Sequence, residues 1–181
     1  MPYEPPPELA AMSLSEIAGQ VAARKLPPIT EWMPEETGDS HMHIAADGRW
    51  YHEGGEITRP AMVRAFASLL MRDTAGQHWL VTPQQKLAIA VEDAAFMAVD
   101  LRDDAGAIAL RLNTDDIVIA GPAHPIEARG DADTPAIYIQ VRHGTEARLN
   151  RSTYVQLIDI ALANSSLSVH SQGLDFALVP Q

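Results

Sequence analysis

Residues 42–70, MHIAADGRWYHEGGEITRPAMVRAFASLL, decide the fold class. Met42 to Ala46 and Arg49 to Glu53 read as two strands joined by Asp47-Gly48, a two-residue turn whose residues tolerate positive φ. Beyond Gly54-Gly55, Thr58 is placed to cap a helix and Pro60 suits its first turn. Met62, Val63, Phe66, Leu69 and Leu70 then recur at helical spacing up to about Asp73, before Gly76. A tight hairpin followed by an amphipathic helix is an α+β unit.

The unit recurs. A shift of 92 positions sets Ile57-Thr58-Arg59-Pro60 over Leu149-Asn150-Arg151-Ser152, Val63 over Val155, Phe66 over Ile158 and Leu70 over Leu162. Each copy then holds a capping Thr or Asn, a first-turn arginine and an amphipathic helix, although two capped helices can also agree by chance. Between the copies sheet structure dominates. Trp79 to Val81, Lys86 to Glu92, Phe96 to Arg102, Ala107 to Leu112, Ile117 to Ala120 and Ile137 to Val141 read as strands, and Leu167 to His170 with Leu174 to Val179 as a closing hairpin. The expectation is an α+β protein of two similar halves, each of antiparallel strands with a packed helix, the C-terminal half having the larger antiparallel sheet. The expected divisions are an acidic, Pro-rich arm (1–40), an N-terminal hairpin-helix domain (41–84), and a C-terminal sheet domain (85–181) with helix 151–163.

Within the arm, Ser13-Leu14-Ser15-Glu16 is a capping box opening a short helix with Ile17, Val21 and Ala22 on one side, ended by Pro27 and Pro28. Trp32 is the apolar anchor of an otherwise irregular stretch. The whole chain has 181 residues, no cysteine and a formal charge of −11, which excludes disulfides, thiolate metal sites and cysteine nucleophiles. It also argues against duplex nucleic acid as a partner, because such binding draws on many Lys and Arg contacts. No apolar run approaches the roughly 18 residues of a membrane helix, and the acidic start lacks an export signal, so no membrane insertion and a cytoplasmic location are expected. Residues 1–58 hold ten carboxylates against Arg24, Lys25 and Arg49, which leaves room for a cationic pocket in the second half.

Asp47-Gly48-Arg49-Trp50, Leu80-Val81-Thr82-Pro83, Lys86, Val91-Glu92-Asp93 and Phe96, followed by Tyr138-Ile139-Gln140-Val141-Arg142 and Glu146-Ala147-Arg148, resemble the bacterial family of uncharacterised proteins called DUF1285. The resemblance spans roughly Trp32 to Val179, with Ala95 standing where a proline is expected. It implies a duplicated core, a C-terminal part similar to a pleckstrin-homology fold, and a ligand site between the halves for a nucleotide-like signal.

Three chemistries can be placed on the sequence. With Asp47-Gly48 as the loop, His43 pairs with His52, so His41, His43, His52 and Trp50 share one face and could ligate a metal, with Asp39 as an oxygen donor. Arg59 and Arg151 lie in first turns, where exposed N–H groups favour anions. With Arg142 and Arg148, and with Trp50 or Tyr138 to stack on a base, they form the expected site for an anionic or nucleotide-like small molecule. Thr82, Lys86, Glu92 and Asp93 form a polar cluster near the join, able to add to that site or to act as general acid and base. The nucleophile-elbow, P-loop, zincin and dinucleotide-binding fingerprints are absent. The functional expectation is a ligand-binding or signalling module; a protein-interaction adaptor using the acidic arm and a histidine-based metalloenzyme are the alternatives.

Overall fold

The computed structural model describes Ser13, Glu16, Ile17, residues 24–104 and residues 106–181. Two units emerge, one built from residues 25–96 with 142–146, the other mainly from 97–141 and 147–181.

The first unit is a six-stranded sheet with one helix. Its strands are β1 (Glu36–Ile44), β2 (Trp50–His52), β3 (Gly55–Glu56), β4 (Leu70–Arg72), β5 (His78–Val81) and β6 (Gln85–Val91), in the order β3-β2-β1-β6-β5-β4. Helix α1 (Pro60–Ala67) carries the chain from one sheet edge, β3, to the other, β4. The return through β5 and β6 brings β6 parallel to β1, an exception to the expected antiparallel pattern. Gln85–Val91, read from sequence as opening the C-terminal domain, therefore belongs to the first sheet, because its ladders run to β1 and β5.

Helix α1 is shorter than its apolar spacing suggests. Its N-cap is Arg59, without a side-chain cap bond, so Thr58 does not cap it. It stops at Ser68 because Leu70–Arg72 enters a hairpin with His78–Val81, Leu70 pairing with Leu80. The Asp73 carboxylate builds that turn: Oδ1 accepts from Ala75 N at 3.0 Å and Gln77 N at 2.9 Å, Oδ2 accepts from Trp79 Nε1 at 3.0 Å, and Gly76 takes φ +90°.

The β1–β2 hairpin has a three-residue loop, one longer than expected. Gly48 N donates to Ala45 O and Ala45 N to Arg49 O, while Gly48 sits at φ +87°, a turn followed by a left-handed glycine. The register moves by one: Met42 lies opposite His52, His43 opposite Tyr51, and Ile44 opposite Trp50.

The second unit repeats the strand order. Its strands are β7 (Phe96–Asp104), β8 (Ala107–Leu112), β9 (Ile117–Ile119), β10 (Ile126–Gly130), β11 (Pro135–Gln140) and β12 (Glu146–Leu149), arranged β10-β11-β12-β7-β8-β9. In both sheets the first and last strands lie at the centre and the third and fourth at the edges. The halves are thus similar, but strand by strand the offset is about 60: Phe96 follows Glu36 by 60 positions and Glu146 follows Gln85 by 61. The helices are not equivalent, since α1 joins the third strand to the fourth whereas α2 (Arg151–Ala163) follows the sixth. The 92-residue offset therefore superposes two helices of similar pattern and different place.

Asn150 caps α2 as expected, its side chain accepting from Thr153 N at 2.9 Å. The closing hairpin, β13 (Ser168–Ser171) and β14 (Leu174–Ala177), turns through Gln172 and Gly173, both at positive φ. Buried Ser171 ties it to the second sheet, its hydroxyl donating to Ala120 O at 2.7 Å and accepting from Ile108 N at 2.9 Å. The capping box is present: Glu16 N donates to Ser13 Oγ, and Ser13 N to the Glu16 carboxylate. Ile17, fully buried, packs with Ala109 and Ile117, and Arg24 pairs with Asp116 at 2.5 Å. Val21, Ala22 and the Pro-rich start lie outside the described residues. No helix among the described residues is long and apolar enough to cross a membrane.

Candidate functional site

A cavity of about 350 Å³ lies between α1, with the residues flanking it, and the first sheet. Met42 of β1, Leu80 of β5 and Leu87 of β6 form its sheet side; Ile57, Met62, Phe66 and Leu69 form its helix side. Four polar residues complete the lining: Asp39, Ser40, His52 and Thr82.

The strand that carries the rim is irregular at this point. Asp39 pairs with Ala88 and His43 with Ala90, so β1 spends Ser40, His41 and Met42 where β6 spends only Ile89. Such a bulge re-aims side chains. His41 is held at φ +55°, and Asp39 Oδ1 accepts from its N–H at 2.8 Å. Ser40 Oγ donates to Ala88 O at 2.7 Å and accepts from Met42 N at 3.2 Å, standing in for the interrupted ladder. Thr82 Oγ1 donates to Gln85 O and accepts from Gln85 N, both at 3.1 Å, which closes the β5–β6 turn.

Of the residues expected from sequence to bind an anionic or nucleotide-like ligand, only Thr82 lines this cavity; Asp39 and His52, offered as metal ligands, line it too. Trp50 is 1% exposed and packs on Phe66, ring centroids 6.5 Å apart, so it is a core residue and offers no face to a base. Lys86 Nζ lies 4.2 Å from the Trp79 ring centre. Arg142 donates to Ala67 O at 3.4 Å, at the C-terminal end of α1, and lies over the Phe96 ring; a cation there complements the helix dipole. Tyr138 is buried, with the guanidinium groups of Arg129 and Arg148 over its ring at 4.3 and 5.9 Å. Arg59 and Arg151 are exposed at their helix starts, and Asp93 is half-buried.

The polar cluster does not assemble. Lys86 and Glu92 stand near opposite ends of β6, six residues and about 20 Å of extended chain apart. Glu92 instead accepts from Ala46 N at 2.7 Å in the hairpin loop. The three-imidazole face fails for the register reason already given, since opposite residues share a face and His43 is now opposite Tyr51, with His52 on the other side of the hairpin. No group of three or more His, Asp or Glu placed to hold a metal occurs among the described residues.

Sequence reasoning missed Met42, Met62, Leu69, Leu80 and Leu87 as cavity residues, because as letters they read as ordinary inward-facing positions, and it offered Asp39 only as an oxygen donor to a metal. The available signal was Asp73 to Gly76, a hairpin turn that makes Leu70–Arg72 a strand paired with His78–Val81 rather than the last turn of the helix.

Comparison with known proteins agrees with this architecture. Residues 27–94 match the family model "Domain of unknown function (DUF1285), N-terminal domain", and residues 94–178 match "Protein of unknown function (DUF1285), C-terminal domain". The crystal structure of a DUF1285 family protein from Silicibacter pomeroyi is similar with a TM-score of 0.75 and 34% identity, over 91% of this chain and 94% of that one. A DUF1285 family protein from Shewanella baltica shares the fold, with a TM-score of 0.54 and 21% identity over 65% of this chain and 90% of that one. No curated protein matches. With both domain models matched in tandem across nearly the whole described chain, the protein belongs to the DUF1285 family.

Proposed function

We propose that this protein is a ligand-binding module whose N-terminal unit takes up a small, mainly apolar molecule in the cavity beneath α1. The observation that carries this reading is the cavity itself: about 350 Å³, within the range of small-molecule sites, and lined by seven apolar side chains with a few polar groups at the rim. At roughly 30 Å³ per non-hydrogen atom, an occupant of about ten such atoms fits. Binding is favoured over catalysis because the Ser40 and Thr82 hydroxyls are committed to backbone partners and the lysine and carboxylate once paired as acid and base stand far apart.

This reading takes the place of a nucleotide-like ligand, whose support weakens once Trp50 is in the core and Arg142 and Arg148 lie on aromatic rings of the protein. The test is thermal or urea unfolding with 1-heptanol. At ten times its dissociation constant a ligand adds about 1.4 kcal/mol of stability. Leu69→Trp, which fills the cavity from the helix side, is expected to remove the effect while the variant stays folded. Equal stabilisation of both proteins would refute the reading.

A further inference from the structure

Resting on that cavity reading, we propose that the occupant carries a cationic, hydrogen-bond-donating head, an aliphatic primary amine, held at Asp39. The lining contains one formally charged side chain, the Asp39 carboxylate, and neither lysine nor arginine. A carboxylate or phosphate head would meet that charge without a compensating cation, while an ammonium head would meet an acceptor.

The backbone around Asp39 is specialised. The two extra residues of β1 are spent beside it, and His41 takes φ +55°, in the left-handed region. One Asp39 oxygen, Oδ1, holds that turn through the His41 N–H, which fixes the carboxylate at the rim and leaves Oδ2 as an acceptor for a ligand. Ser40 and Thr82 cannot compete for the head group without breaking their backbone bonds. His52, the remaining polar lining residue, is exposed and lies opposite Met42 on the neighbouring strand.

The experiment compares heptylamine, 1-heptanol and heptanoate at neutral pH, with the intact protein and with Asp39→Asn, by calorimetric titration. The asparagine keeps an oxygen for the His41 N–H and removes only the charge. Heptylamine is expected to bind about tenfold more tightly than heptanoate, the product of roughly threefold attraction and threefold repulsion at a partly solvated carboxylate, with heptanol between. In Asp39→Asn the spread is expected to shrink to about twofold, and in the intact protein to narrow with added salt. Heptanoate binding as tightly as heptylamine, or an unchanged preference in Asp39→Asn, overturns the head-group assignment and leaves the cavity reading standing. Failure of all three to bind overturns the cavity reading and the assignment together.

Discussion

His43 of β1 stacks on Tyr51 of β2, ring centroids 4.7 Å apart and planes inclined by 9°. This pair fixes the hairpin register, since sliding either strand by one residue would move its side chains to the other face. It is also what separates His43 from His52 and aligns Met42 and His52 beside the cavity.

The three-residue loop makes that register costly to change. Gly48→Ala places a side chain at φ +87°, and a loss of about 1–2 kcal/mol is expected in urea unfolding. His43→Ala should cost about 0.5–1 kcal/mol through the lost ring contact, His52→Ala close to nothing, and the two should add. Strong coupling between His43 and His52 would contradict the register.

The two helix starts give a second contrast. Asn150→Ala removes a cap bond to Thr153 N and should cost about 1 kcal/mol, whereas Thr58→Ala, at a residue that caps nothing, should stay within about 0.5 kcal/mol. Equal losses would restore the equivalence of the two helices that the 92-residue offset suggests.

Trp50 supplies a third. Trp50→Ala should cost about 3–5 kcal/mol by opening a cavity in the core, and Trp50→Phe markedly less, because the indole Nε1 has no hydrogen-bond partner among the described residues. A Trp50→Ala protein of unchanged urea midpoint would place the ring outside the core.

Stability should also fall on acidification. Burial, then the positive charge of Arg72, holds His78 below its ordinary 6.5, with Glu146 and Asp73 opposing; burial and Arg142 lower His143 in the same way. Each stays neutral in the fold while the unfolded chain takes up a proton, so stability is full above about pH 6.5 and declines as pH drops through 6.5 toward the lowered folded values. Urea midpoints measured from pH 7.5 to 5 should show this decline, and His78→Phe should flatten it. An unaltered slope in His78→Phe would assign the decline to other groups.

Much of the architecture was legible in the letters. Strands such as Ala107–Leu112, the Asn150 cap, the Ser13–Glu16 capping box and the final hairpin depend on local chemistry that a short window contains. The family resemblance was legible as well, and both domain matches agree with it. Long-range pairing was not. Amphipathic helices look alike wherever an apolar stripe meets a sheet, so α1 and α2 superposed at 92 residues although the strands repeat at about 60. Gln85–Val91 alternates like any half-buried strand, and nothing in it states that its neighbours are Glu36–Ile44 and His78–Val81. Ile126–Gly130 was overlooked for a different reason: it forms a local hairpin with β11, but its letters follow Pro125 and run into the polar stretch Arg129 to Thr134, which reads as loop.

The candidate site was the least legible part, for it arises from how α1 and its flanking residues meet the sheet rather than from a motif. From the letters Arg142 belongs to a site for an anionic ligand, while the structure gives it a helix end and an aromatic ring.

The central claim is that the cavity beneath α1 holds a small apolar-bodied molecule, and methionine methyl resonances test it most directly. In protein labelled at the methionine ε-carbons, Met42 and Met62 line the cavity, whereas Met33, Met71 and Met97 do not. Titration with heptylamine is expected to shift the Met42 and Met62 methyls in a saturable way and to leave those of Met33, Met71 and Met97 in place. Shifts confined to Met33, Met71 or Met97, or none that saturate at Met42 and Met62, would contradict the account.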